Sequence, residues 1–212
     1  MFNFPMPELG RGHYDHWLFQ RSENIAFELG VHPLALVQQF CGRVLEAQTV
    51  CSNEQLLPSG ETFYGRWQVA MNCERATACV LLSVSTGFQD IWMHVQGEDG
   101  ACHADFRRDT VYLSERSPFL RPNDDLRDSL QTATSIACGG LRHYKNYILS
   151  NFQCNALYPG QYASMKGSIE AYYAALRDGY EPAVGIAEGT AVIQACELAV
   201  APIRRQQSWS LQ

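Results

Sequence analysis

No CxxC pair occurs among the eight cysteines of this 212-residue chain, which stand at 41, 51, 73, 79, 102, 138, 154 and 196. HExxH, GxSxG and a Walker loop are missing too, so no motif indicates a zinc protease, a serine hydrolase or a P-loop enzyme. There is no basic stripe: 16 Lys and Arg stand scattered against 22 Asp and Glu, a net charge of −6, and no nucleic-acid surface is expected. No apolar run approaches the roughly 20 residues that cross a bilayer. The N-terminus MFNFPMPELGRGHYDHW lacks the basic start and long apolar block of a signal peptide. These absences lead to the expectation of a cytoplasmic chain with no membrane partner.

What is present suits a globular domain. Hydrophobic residues make up 46% and charged residues 18%, and a chain of this size buries roughly 70% of its unfolded surface without needing a disulfide or a metal. The cysteines lie mostly in apolar runs and read as reduced, mainly buried thiols. A metal site from His94, Cys102 and His103 is disfavoured, because adjacent residues of a strand point to opposite faces; no metal is expected.

Three blocks follow one another. Residues 1–22 read as an arm rich in Pro, Gly, His and aromatics. An apolar stripe of helical period runs from Asn24 to Gly42, which stops it, and Pro33 means that either the helix kinks or a second one begins with Pro33 in its first turn. From Val44 to Ser114 the period is two, giving strands at Phe63–Asn72, Ala76–Thr86, Ile91–Gln96, Ala101–Phe106 and Asp109–Ser114. Their imperfect alternation suggests that loops or another chain cover the second sheet face. Gly97-Glu98-Asp99-Gly100 reads as a hairpin turn whose glycines take positive φ.

Helices are expected from Asp124 to Ser150, capped by Asn123 and interruptible at Gly139-Gly140, from Ser164 to Arg177, and from Ala187 to Ala199. The order predicts an α+β domain over 23–205, with an open, mostly antiparallel sheet and helices on one face, then a polar tail at 206–212.

Glu28 and His32 are the chemistry-bearing residues. Four apart on a helix, they share a face about one turn from each other. The bland reading is a core histidine with a satisfied partner. The alternative is an imidazole whose pKa the carboxylate raises toward neutrality for proton transfer, in a dehydrogenase or a hydrolase. Gly10-Arg11-Gly12 begins like a dinucleotide fingerprint, but Asp15 occupies the third glycine position and no full strand precedes it.

The stretch Asn24 to Leu34 resembles the D-x-G-x-H segment of the C-terminal domain of the Gfo/Idh/MocA oxidoreductases, the glucose–fructose oxidoreductase and inositol dehydrogenase group, with His32 matching the histidine and Glu28 standing where that family has Asp. Trp92 to Gly100 resembles that family's strand, G-x-x-G, strand element. Met165 to Gly179 resembles its penultimate helix, and Gly189 to Ala199 its last. The motifs also fall in the family's order.

The resemblance implies a substrate-binding and oligomerisation domain of an NAD(P)-dependent oxidoreductase acting on a sugar, cyclitol or nucleotide sugar. His32, with Glu28, would serve proton transfer. Trp17, His16 and Tyr14, with His13, lie in the arm that passes near substrate in that family, and Gln161, Tyr162 and Lys166 are candidates for polar substrate contacts. Packing and capping are the bland readings of these residues.

The family's Rossmann domain and the lysine of its E-K-P motif are missing, and Phe2 to Pro5 reads as the end of a cut first strand. The implication is a fragment or a truncated frame. Such a chain alone should bind no dinucleotide and needs a Rossmann domain in cis or in trans. It should also self-associate through an open sheet face. A stand-alone, non-catalytic dimerisation or assembly module is the alternative.

Overall fold

The computed structural model describes residues 1–212 apart from 7, 8, 10, 13, 86, 87, 116–120, 153–159, 183 and 210–212, and for 85, 160–166 and 206–209 it describes the backbone alone. Two compact units emerge: unit 1 comprises 1–90 with 184–212, and unit 2 comprises 91–183. These boundaries differ from the arm, domain and tail read from sequence, because 91–183 interrupts the first unit.

Unit 1 holds a four-stranded sheet. Strands β1 (Phe2–Pro5), β2 (Val44–Leu56), β3 (Thr62–Cys73) and β4 (Thr77–Ser85) lie in the order β2-β3-β4-β1. All neighbours are antiparallel except β1 with β4, where Phe2 pairs with Leu82 and Phe4 with Val84. The period of two is strict in β3: Phe63, Trp67, Val69, Met71 and Cys73 are buried, while Arg66, Gln68, Ala70 and Asn72 are exposed.

Helices α1 (Asn24–Glu28), α2 (Val31–Cys41) and α5 (Ile186–Trp209) pack in this unit. Pro33 sits in the first turn of α2, where no intrahelical donor is needed; of the two readings, the second helix is the one that forms. Gly42 ends it at φ 79°.

Helix α5 closes the core with Ala195, Cys196, Ala199, Val200 and Ile203. Its Ala199 carbonyl accepts the buried Thr49 hydroxyl at 2.6 Å, and burial pushes the Cys196 thiol up to about 11. The helix runs on through Pro202, beyond the Ala199 end read from sequence. Residues 186–205 are long and apolar enough to cross a membrane by length and composition alone. The sequence reading found no such run, and the core helix of a globular unit passes the same test.

On the opposite face of this sheet Val50 and Leu81 are 68% and 40% exposed. A shallow hollow of about 460 Å³ lies there, lined in part by Asn3, Val50, Ser52, Arg66, Gln68 and Leu81.

Unit 2 has an antiparallel sheet of β5 (Asp90–Gln96), β6 (Gly100–Asp105) and β7 (Thr110–Glu115), in that order. The Gly97–Gly100 hairpin forms, with the Gly97 N–H donating to the Gly100 carbonyl at 2.8 Å. Neither glycine takes positive φ, contrary to expectation. Gly100 is needed for space: a Cβ there would stand 2.5 Å from the Ser114 carbonyl. After β6, Asp105 accepts the backbone N–H groups of Arg107 and Arg108 and pairs with the Arg108 guanidinium. Partial burial raises its pKa, but these donors outweigh it and the net shift is downward.

Helix α3 (Arg121–Asn151) packs on β7, and α4 (Gly160–Asp178) follows. Helix α3 starts at Arg121, so Asn123 lies inside its first turn rather than at the cap; Pro122 suits that start. Nor does Gly139-Gly140 break it. Gly139 is where the helix meets the loop before β7, since a Cβ there would fall 2.1 Å from Thr110 Cγ2 and 3.2 Å from the Arg108 and Asp109 carbonyls.

The sheets and helices realise the α+β class expected from sequence, open and mostly antiparallel. The described cysteines are all free, but only Cys73 and Cys196 are buried and Cys79 and Cys138 are exposed. The strand patches around Cys79 and the helix surface at Cys138 leave them uncovered, so "mainly buried" does not describe them. Cys154 lies outside the described residues.

Candidate functional site

Four residues create the turn that presents His32. Leu29 and Gly30 both donate to the Ile25 carbonyl, at 2.9 and 3.1 Å, which ends α1, and Leu34 donates to the Gly30 carbonyl at 3.1 Å as α2 begins. A Cβ on Gly30 would stand 2.5 Å from the Ala26 carbonyl oxygen, so only glycine fits between the helices. His32 is then the second residue of α2, exposed, with its ring 6.3 Å from that of Phe4 on β1.

Glu28 is the last residue of α1 and is half-buried. The break at Leu29-Gly30 removes the single continuous helix on which the spacing argument rested. No hydrogen bond or ion pair joins Glu28 to His32 among the described residues.

The arm is tied down by its own polar atoms. Tyr14 Oη accepts from Gln55 Nε2 at 3.0 Å, and its ring stands edge-on to Phe19 at 5.5 Å. His16 Nδ1 accepts from the Leu18 N–H at 3.3 Å and caps the short turn Trp17–Phe19, so the proton of a neutral His16 ring lies on Nε2. Trp17 is exposed, and its carbonyl accepts from Asn24 Nδ2 at 2.6 Å. The packing role weighed for the arm is therefore present at Tyr14, His16 caps a turn, and Trp17 is exposed with the His16 ring 6.3 Å from its own. No described contact joins these three to His32. His13 and the side chains of Gln161, Tyr162 and Lys166 lie outside the described residues.

Phe4, Gln55 and Asn24 were not singled out in the sequence. Phe4 and Gln55 act through strands distant in sequence from the groups they meet. Asn24 alone carries a local signal, an amide one turn beyond the arm.

No family model matches the chain, and no curated protein matches it. Solved structures do match. One, described as an NADPH-dependent oxidoreductase from Desulfitobacterium hafniense, aligns over 97% of this chain at 11% identity with a TM-score of 0.56. Another, an oxidoreductase from Agrobacterium radiobacter solved with NAD+, L-tartaric acid and magnesium, aligns over 94% at 13% identity with a TM-score of 0.50. This chain spans 53% and 52% of those chains. It therefore has the fold of about half of each of these oxidoreductases.

Proposed function

We propose that this chain is the C-terminal substrate-binding and oligomerisation domain of an NAD(P)-dependent oxidoreductase of the Gfo/Idh/MocA type, acting on a sugar, cyclitol or nucleotide sugar. The carrying observation is the fold match over 97% of the chain to about half of an oxidoreductase, joined to the order of the sequence motifs.

Asp15 stands where a dinucleotide fingerprint has its third glycine. The nicotinamide would be held by a nucleotide-binding half and would supply the hydride chemistry. His32, exposed at the start of α2 and flanked by Phe4, would take or return the proton of the reacting hydroxyl. Glu28 would contact the substrate or orient His32. Trp17 would offer an apolar face to a sugar ring.

The test begins with the intact mass of the protein captured from its own cells. A product larger by one nucleotide-binding domain is expected, with NAD(P)-dependent oxidation of a polyol or sugar. In that protein His32→Asn should lower kcat by roughly 10²–10⁴-fold. A native product of 212 residues without nicotinamide-dependent activity would overturn the reading.

The exposed Val50 and Leu81 favour a second reading, a stand-alone assembly module that pairs by the open sheet face. It predicts that Leu81→Asp breaks an oligomer while His32→Ala has no cellular effect. Val80, buried at 5% exposure, faces the core and is the wrong place for that charge.

A further inference from the structure

Helix α3 carries its apolar residues on the side away from its sheet. Toward the sheet it is polar or small: Asp128 accepts from Ser114, and Gly139 lies against Thr110. On the other side Leu126, Leu130, Ala133, Ala137, Leu141, Tyr144 and Ile148 succeed one another at steps of 4, 3, 4, 4, 3 and 4 residues. Leu126, Leu130 and Tyr144 are each 61% exposed and Leu141 70%, so the stripe of an amphipathic helix is turned outward, where a partner would cover it.

The stripe has a centre. Ala137 stands eleven residues from Leu126 and eleven from Ile148. An 11-residue repeat, about 3.67 residues per turn, keeps the stripe on one side of a nearly straight helix. The steps also read the same in both directions from Ala137. A second α3 running antiparallel, with its Ala137 on the same two-fold axis, therefore matches this one position by position. Leu126 of one copy faces Ile148 of the other, Leu130 faces Tyr144, Ala133 faces Leu141 and Ala137 faces its own copy. Alanines at the middle let the axes approach to roughly 8 Å, and the large side chains fill the ends.

Charge selects the same direction. Residues 121–136 carry Asp124, Asp125 and Asp128 against Arg121 and Arg127, whereas 137–151 carry Arg142 and Lys145 and no carboxylate. Antiparallel pairing sets the more acidic half of one copy over the basic half of the other; parallel pairing would set like on like.

We propose that a second copy of this chain docks on the outer side of α3 and forms an isologous, antiparallel helix pair centred on Ala137. The contact lies within unit 2. It rests neither on the oxidoreductase reading nor on the unit 1 sheet face that holds Val50 and Leu81.

The test is sedimentation equilibrium of the 212-residue chain. A monomer–dimer equilibrium with a dissociation constant of roughly 1–100 μM is expected, since one helix pair buries less than the roughly 1,600 Å² of a standard interface. Leu130→Glu should weaken it about tenfold or more, by burying a charge against an apolar ring. Adding Tyr144→Lys to that variant should restore it: the two positions face each other across the axis, yet stand roughly 21 Å apart along one helix. Cys138 is exposed beside the axis, so a short bismaleimide should link two parent chains and fail to link Cys138→Ser. Leu81→Asp should leave the association in place.

No dimer at roughly 200 μM, a dimer untouched by Leu130→Glu, or no rescue by Tyr144→Lys would each overturn the pair. So would a fall in urea stability of Leu130→Glu at dilutions where the parent is monomeric, because another segment of the same chain, such as α4, would then be what covers the stripe.

Discussion

The two units solve the burial problem differently. In unit 1, Leu18, Phe19, Ile25, Phe63, Val200 and Ile203 are almost wholly enclosed, contributed by the arm, the first helix, the sheet and the closing helix. Unit 2 turns a polar stripe of α3 toward its sheet: Gly139 abuts Thr110, and Ser114 bonds the Asp128 carboxylate. Leu126, Leu130, Leu141 and Tyr144 of the same helix stay exposed. A helix that packs through its polar side draws little from the hydrophobic effect, so unit 1 should carry most of the stability.

The largest expected effect is in that enclosed cluster. Phe63 is 2% exposed and meets Phe19 at 5.3 Å, so Phe63→Ala should cost about 3–5 kcal/mol in urea unfolding. Adjacent glycines of α3 should then respond with opposite signs. Gly139→Ala forces a methyl against Thr110 and two backbone carbonyls and should cost about 1–3 kcal/mol. Gly140→Ala enters open space and should gain up to about 1 kcal/mol from helix propensity.

Thr49→Val, which removes the hydroxyl donor to Ala199, should cost about 1 kcal/mol. The smallest effect belongs to Leu141→Ala, at 70% exposure, within about 0.5 kcal/mol. Equal losses for Phe63→Ala and Leu141→Ala would break the contrast between the units.

Alkaline pH sharpens it. Burial, with Glu54 adding to it, pushes the Cys51 thiol up to about 12, and burial with Glu197 brings Cys196 to about 11, both from 9.0. The unfolded chain releases these protons first, so their contribution is intact below about 9 and fades as pH rises toward 11 and 12. The unfolding midpoint should fall above pH 9, and less so when both cysteines are replaced by Ala.

The sequence disclosed the elements whose cause is local. Alternation marked β3 and the hairpin strands, Gly42 and Gly179 marked helix ends, and Pro33 marked a helix start. It could not disclose what depends on distant partners. Gly139-Gly140 looked like a breaker because the sequence does not show Thr110 pressed against Gly139. Gly100 seemed to serve a turn dihedral because the Ser114 carbonyl beside it is remote in sequence. Of the candidate site, the presence of a histidine at a helix start was legible. Its neighbour Phe4 was not, and neither was the close approach of Gly30 to the Ala26 carbonyl at the helix break between Glu28 and His32.

Unit 1 is written in two pieces, and the second piece holds α5. During synthesis at roughly 5–20 residues per second, the sheet of residues 44–85 must wait several seconds for the helix that covers it, while all of unit 2 is being made. Through that interval the face of β2 that meets α5, with the buried Thr49 on it, lacks that helix. The nascent chain is therefore most open to chaperone capture, or to misassembly with a neighbouring nascent chain, between the emergence of β4 and that of Val200.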